Sequence, residues 1–217
     1  HERFPQWGLR FVSLVDGVDT RERANKKSRQ IHALVNEWYL EDLSENIRRT
    51  FLAKMQAGQY LGAIAPYGYQ KAAADRHRLA VDEEAAAVVR RIYREFLAGR
   101  GLTAIARALT AAGVPTPYAY KQARGEALRL PRVKGGWAAT TVRKILTNPV
   151  YRGALAQGRE TTRSYKDKTR VRRPPEAWVV VEDTHPALVS PAEFAAVQAE
   201  LESRQKRRAG KKKADGP

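Results

Sequence analysis

Residues 31–55 read IHALVNEWYLEDLSENIRRTFLAKM, and within them Ile31, Val35, Tyr39, Leu43, Ile47, Phe51 and Met55 recur at every fourth position. With Leu34, Trp38, Leu40 and Leu52 beside them, the spacing predicts one helix from about Ala24 to Met55. From Ile31 to Met55 such a helix extends about 36 Å at 1.5 Å per residue. A strict four-residue step advances by about 40° against the helical turn, so the apolar stripe winds around the axis and faces different directions at its two ends. The charge changes sign along the same helix, from Glu37, Glu41, Asp42 and Glu45 to Arg48, Arg49 and Lys54. Both features divide the helix into two ends with two packing partners. Ser44 sits between Leu43 and Glu45 with Glu41 and Asp42 close by, carboxylates that repel a phosphate, so it reads as a packing or solvated serine and not as a nucleophile.

Upstream, GLRFVSLV at residues 8–15 has the β-branched and apolar content of a strand and ends in the turn-like DGVDT, so a strand is expected there whose sheet partners are missing. Downstream, Gly58, Gly62, Pro66 and Gly68 break the long helix, and GAIAPYGYQK followed by HRLAVD reads as a glycine-rich joint leading into a short hairpin. Residues 82–99, DEEAAAVVRRIYREFLAG, open with acids suited to a helix N-terminus, place Val88, Val89, Ile92, Tyr93, Phe96 and Leu97 on one face, and stop at Gly99. A short helix at about Thr103 to Ala112 follows. After a polar, basic, proline-containing connector, a further helix is expected from about Ala138 to Thr147, closed by Asn148-Pro149. Its Val142, Ile145 and Leu146 face inward and leave Thr140, Thr141, Arg143 and Lys144 outside. That order is the order of a helix-turn-helix relative with an unusually long connector. VYRGALAQ and AWVVVED read as strands flanking Arg159 to Arg173, a loop with seven Lys or Arg against two acids. SPAEFAAVQAELESRQKRR gives a last helix, and GKKKADGP reads as a disordered tail.

The expected fold class is therefore mainly α with small β elements. The expected organisation is 1–57 with the long helix, 58–149 as the helical binding domain, 150–208 as a β-hairpin and helix segment, and 209–217 as a basic tail. A formal charge of +17 over 217 residues attracts polyanions, of which nucleic acid is the commonest. The absence of cysteine excludes disulfides and thiolate zinc sites, and no stretch reaches the roughly 18 apolar residues of a membrane span. His32, His77 and His185 are scattered, and none is assigned to a metal. The chain opens at His1 directly into HERFPQWGLRFVSLV and is expected to be cut from a longer protein.

GLRFVSLVDGVDT, NEWYLEDLSENIR, the APYGY joint, FLAGRGLTAIARALTAAGVPTP, and WAATTVRKILTNPVYRG followed by HPALVSPAEFAAVQ together resemble, in order and spacing, a large serine recombinase. The resemblance covers nearly the whole chain, from the end of a catalytic domain through the recombinase domain. It implies a parent protein that cuts and rejoins DNA attachment sites through a phosphoserine link, without a nucleotide cofactor or catalytic metal, in the bacterial cytoplasm and at the nucleoid. The family's nucleophilic serine would lie before His1, so this chain alone is expected to be inactive. The zinc of the family's C-terminal ribbon would have no ligands here, and no cofactor is expected in this chain. The implied partners are a double-stranded DNA half-site and a second copy held through the long helix, as a dimer and, in the parent's synaptic complex, a tetramer. No membrane partner is implied.

The candidate DNA-binding residues are Arg48, Arg49 and Lys54 at the basic end of the long helix, Tyr67 and Tyr69 in the joint, and Thr140, Thr141, Arg143 and Lys144 on the outer helix face. Arg159, Arg163, Arg170, Arg172 and Arg173 in the basic loop join them, as does the run from Arg204 to Lys213 as sequence-independent phosphate neutralisers. Trp137 is expected to pack the start of the helix at 138–147. Two other readings fit the same sequence: a non-enzymatic helix-turn-helix regulator dimerising through the long helix, and a general nucleic-acid-coating basic protein.

Overall fold

A computed structural model describes residues 7–10, 12–13, 18–19, 25–126 and 135–214. The fold is mainly α with small antiparallel strand pairs. The chain divides into two compact units, one of residues 1–51 with 160–171 and the other of residues 52–159 with 172–217.

In the first unit, β1 (Val12–Ser13) pairs antiparallel with β2 (Val18–Asp19), Val12 opposite Asp19 and Ser13 opposite Val18. The strand expected without a neighbour thus has one a few residues on, because Val18 and Asp19 belong to a strand and not only to a turn. Helix α1 (Asn25–Gln56) gives its residues up to Phe51 to this unit and those from Leu52 to the second. Its apolar stripe lies uncovered: Ile31 is 60% exposed, Trp38 56% and Phe51 48%. Only its last member, Met55, is half-buried, with its sulfur beside Gly158.

The second unit is built around α2 (Glu83–Leu97), where Ala86, Val89, Ile92 and Phe96 are fully buried. Its acidic first turn, Glu83 and Glu84, suits the helix dipole, and Leu97, expected on the buried face, is exposed at the C-terminal end. The joint before it folds as predicted into a hairpin, β3 (Tyr69–Lys71) against β4 (Leu79–Val81). Gly68 adopts φ +91°, and a Cβ there would come within 2.9 Å of Leu188 and 3.1 Å of Val89, so only glycine lets this hairpin close onto α2. Helix α3 (Leu102–Ala111) follows. Then comes a short helix that the sequence reading placed in a loop, α4 (Pro117–Ala123), started by Pro117 and by Thr116 Oγ1 accepting from the Ala119 amide at 3.3 Å. The Tyr120 hydroxyl and Arg124 both donate to the Asp82 carboxylate, at 3.0 and 3.1 Å, and so hold α4 to the start of α2.

Helix α5 (Ala139–Leu146) buries Val142, Ile145 and Leu146, as its periodicity requires. Its C-terminal end is fixed from two sides: the Tyr93 hydroxyl lies 3.2 Å from the Ile145 carbonyl, and Gln198 Nε2 donates to the Leu146 carbonyl at 2.7 Å. Beyond it, β5 (Leu155–Gln157) pairs antiparallel with β8 (Val179–Val181). The intervening basic segment, expected as a loop, forms its own hairpin, β6 (Glu160–Thr162) with β7 (Arg170–Arg172). Helix α6 (Pro191–Ala214) begins with a reciprocal cap in which Glu193 N–H donates to Ser190 Oγ at 3.2 Å and the Ser190 amide to Glu193 Oε2 at 2.8 Å. It runs through Gly210 to Ala214, where a disordered tail was expected; the surrounding Ala, Lys and Arg are good helix formers, and one glycine costs only about 1 kcal/mol. Segments 58–149 and 150–208 share one core, which joins Val89 and Phe96 to Val150, Tyr151, Val197 and Leu201. No helix among the described residues is long and apolar enough to cross a membrane.

Candidate nucleic-acid interface

Helices α3 and α5 pack directly on one another. Ile105, Ala106 and Leu109 of α3 and Val142, Ile145 and Leu146 of α5 supply the buried sides. Trp137 fixes the approach to α5: it is 7% exposed, its Nε1–H donates to the Val114 carbonyl at 3.0 Å, and its amide donates to Thr110 Oγ1 at 2.9 Å. The preceding Gly136 is required there, since a Cβ would meet the Thr110 side chain at 2.3 Å. These contacts leave Thr140, Arg143 and Lys144 on the exposed side of α5, with Thr141 half-buried beside them. A short, rigidly held helix thus presents two cations and a hydroxyl to solvent, the donor set suited to phosphate oxygens and to base edges.

Several other predicted contact residues lie elsewhere. Tyr67 and Tyr69 are 6% and 1% exposed. Tyr69 reaches the carbonyls of Pro186 at 2.9 Å and Val150 at 3.2 Å, and Tyr67 packs edge-on against Tyr120 and Trp137. Burial pushes both phenols above their ordinary range. They are core residues, because a glycine-rich joint lets the chain turn these rings inward as readily as outward. Arg159 is also structural: its Nε donates to the Ala156 carbonyl at 2.9 Å and its guanidinium lies 4.8 Å from the centre of the Trp178 ring. Burial lowers its pKa from the usual arginine value. Arg173 is half-buried, with its amide donating to the Arg159 carbonyl at 2.9 Å.

A model of the recombinase family matches residues 83–204, more than half of the chain and the whole of α2 through α5. The chain belongs to the recombinase family. Two solved structures are similar to it over about three quarters of its length. One, described as "Sequence Requirements of the Listeria innocua prophage attP site", is 22% identical, with 73% of this chain and 52% of that chain covered and a TM-score of 0.46. The other, "Crystal Structure of a LSR-DNA Complex", is 22% identical, with 74% of this chain and 38% of that chain covered and a TM-score of 0.43. The chain spans about half or less of the proteins in these structures.

In this recombinase chain the hairpin β6–β7 carries Arg163, Arg170 and Arg172, all exposed, with Arg163 lying 3.6 Å from Asp167 and Arg170 lying 3.6 Å from Glu160. Within the first unit Lys166 and the Tyr165 hydroxyl both donate to Glu37 of α1, and Arg48 Nη2 lies 3.4 Å from Thr162 Oγ1. The bond from Lys166 holds the Glu37 carboxyl below its ordinary range. Arg49 pairs with Glu45 one turn back at 2.6 Å, an exposed pair of little energetic weight, and Lys54 is half-buried. Arg204, expected in the basic tail as a phosphate neutraliser, is bound to Glu200 at 2.6 Å and to the carbonyls of Arg100 and Gly99 at 2.8 and 3.1 Å. The sequence reading missed Arg107. It is the one charged residue of α3 and stands on the polar side of a helix whose apolar face was recognised, which was its available signal. Among the described residues no cluster of His, Asp and Glu is arranged to hold a metal.

Proposed function

We propose that this chain is the DNA-binding portion of a serine-class site-specific recombinase and that α5 is its reading helix. The observation that carries the proposal is the placement of Thr140, Arg143 and Lys144 on the exposed side of a helix anchored by Trp137, Tyr93 and Gln198. Preorganised donors lose little freedom on binding, which is what discrimination between base pairs needs. The net charge of +17 supports a duplex as the partner, and the exposed hairpin arginines Arg163, Arg170 and Arg172 supply sequence-independent attraction.

The uncovered stripe of α1 supports self-association through that helix. The longer protein would cut and rejoin attachment sites by attack of a serine oxygen on phosphate, with the nucleophile supplied from outside this chain, and the isolated chain would form no covalent DNA adduct. Ser44, half-buried in α1 beside Glu45, is not that nucleophile. Selection of bound duplexes from a randomised pool tests the reading: the chain enriches a motif, and Thr140→Ala with Lys144→Ala blurs it. A pool that emerges without any motif contradicts it and favours a coating protein, and a motif that survives the double substitution contradicts α5 as the reading helix.

A further inference from the structure

The starts of α3 and α5 and the C-terminal half of α6 enclose a cleft of about 690 Å³. Arg107, Arg143, Arg204 and Arg207 line it, and no acidic side chain does. The four arginines are not equivalent. Arg204 is committed to structure: besides its bonds to Glu200 and two carbonyls, its guanidinium sits 4.4 Å from the centre of the Phe96 ring and roofs the core. Glu200 is thereby largely used, and the bond from Arg204 holds its carboxyl below the ordinary range. Arg207 reaches the same carboxylate only at 3.5 Å and donates to Ser203 Oγ at 3.1 Å. Arg107 and Arg143 make no ion pair or side-chain hydrogen bond among the described residues.

Three guanidinium groups thus line one concavity, and the carboxylate that reaches Arg207, that of Glu200, is already engaged by Arg204. Like charges gathered over a partly apolar floor of Phe96, Leu102 and Leu201 repel one another more strongly than on open surface, and an anion in the cleft relieves that repulsion. The planar forks of arginine match a phosphate's oxygens two at a time, whereas a lysine acts as a point charge. One of the three, Arg143, also belongs to the exposed side of α5, so a duplex meeting Thr140 and Lys144 brings its backbone to the cleft.

We propose that this cleft is a backbone-phosphate site in which Arg107, Arg143 and Arg207 grip the DNA strand beside α5. The assignment rests on the reading of α5 given above and refines it: Arg143 positions the helix on the duplex, and sequence is read by Thr140 and Lys144. Arg107 anchors from α3 and Arg207 from α6, so three elements of one core set the register of α5 on the DNA.

The test is the salt dependence of binding of the full chain to labelled duplexes, one bearing the selected motif and one of scrambled sequence. Arg107→Ala and Arg207→Ala each reduce the slope of log K against log salt by about one and weaken both duplexes by the same factor. Arg107→Lys retains the slope but not the full affinity, which separates a charge effect from a folding defect, and circular dichroism of each variant matches the parent. Lys144→Ala changes the ratio between the two duplexes. If Arg107→Ala and Arg207→Ala leave affinity and slope unchanged while the parent chain binds DNA, the cleft assignment is overturned and the reading of α5 stands. If the parent chain binds neither duplex, both are overturned. Inorganic phosphate, which the same guanidinium forks can hold, competes with the duplex better than chloride at equal ionic strength; phosphate binding that Arg107→Ala abolishes while duplex affinity stays unchanged would make the cleft a pocket for a free anion and overturn its assignment to the DNA backbone.

Discussion

Helices α1 and α2 carry apolar stripes of similar richness, and only one stripe is covered. In α2 the buried positions Ala85, Val89, Ile92 and Phe96 follow steps of four, three and four, which keep to one side of a helix of 3.6 residues per turn. A single flat core can cover them. In α1 the steps are all four, so from Ile31 to Met55 the stripe rotates by about 240°, and no single neighbour can cover it. Ile31, Trp38, Ile47 and Phe51 accordingly stand 47–60% exposed, while Val89, Ile92 and Phe96 are fully buried. Periodicity identifies the apolar face of a helix; the regularity of the step tells whether the face is straight enough for one partner.

The largest effect that tests this contrast is truncation on either side of it. Phe96→Ala removes a ring packed in the core and under Arg204, and a loss of about 3–5 kcal/mol is expected by denaturant unfolding. Phe51→Ala at low protein concentration is expected to change stability by no more than about 0.5 kcal/mol. Equal losses would mean that the α1 stripe is covered within the chain. Tyr69→Phe comes next, because the hydroxyl satisfies buried carbonyls of Val150 and Pro186, and about 1–3 kcal/mol is expected. A neutral result there would mean that water takes over those carbonyls.

A smaller effect follows pH. Burial lowers the pKa of His185, opposed by its bond to the Val150 carbonyl at 2.7 Å, and its ring meets Tyr69 edge-on. Because the folded chain resists protonation that the unfolded chain accepts at about pH 6.5, the contribution of neutral His185 is complete above that pH and is lost as pH falls below it. Thermal midpoints measured from pH 7.5 to 5.5 should fall, and His185→Asn should flatten that fall. A steeper fall in the variant would assign the titration to another group. The smallest effect on stability belongs to Trp38→Ala, which should leave the midpoint of the isolated chain almost unmoved yet weaken self-association in sedimentation equilibrium. An unchanged association constant would remove α1 as the contact between copies.

Most of the helical frame was legible, because α1, α2, α3 and α5 combine a clear apolar period with glycine or proline stops, and the inward trio Val142, Ile145 and Leu146 followed directly. Helix α4 was not, since seven residues offer too few turns to show a period, and its stability comes from Asp82 far away in sequence. The hairpin at 160–172 was hidden for the opposite reason: its strands are too polar to alternate visibly. At the site, the residues on α5 were legible from one helix alone. The burial of Tyr67 and Tyr69, the stacking of Arg159 on Trp178, and the convergence of Arg107 with Arg143 all depend on contacts between distant segments, which charge and composition do not encode.

The central claim is that the exposed side of α5 is the DNA face, and lysine acetylation of the full chain with and without saturating duplex, read residue by residue by mass spectrometry, tests it most directly. Lys144, which stands exposed on α5, is predicted to lose reactivity more than any other lysine when DNA is bound. Unchanged reactivity at Lys144, with protection confined to Lys166 and Lys168 of the β6–β7 hairpin, would contradict the account.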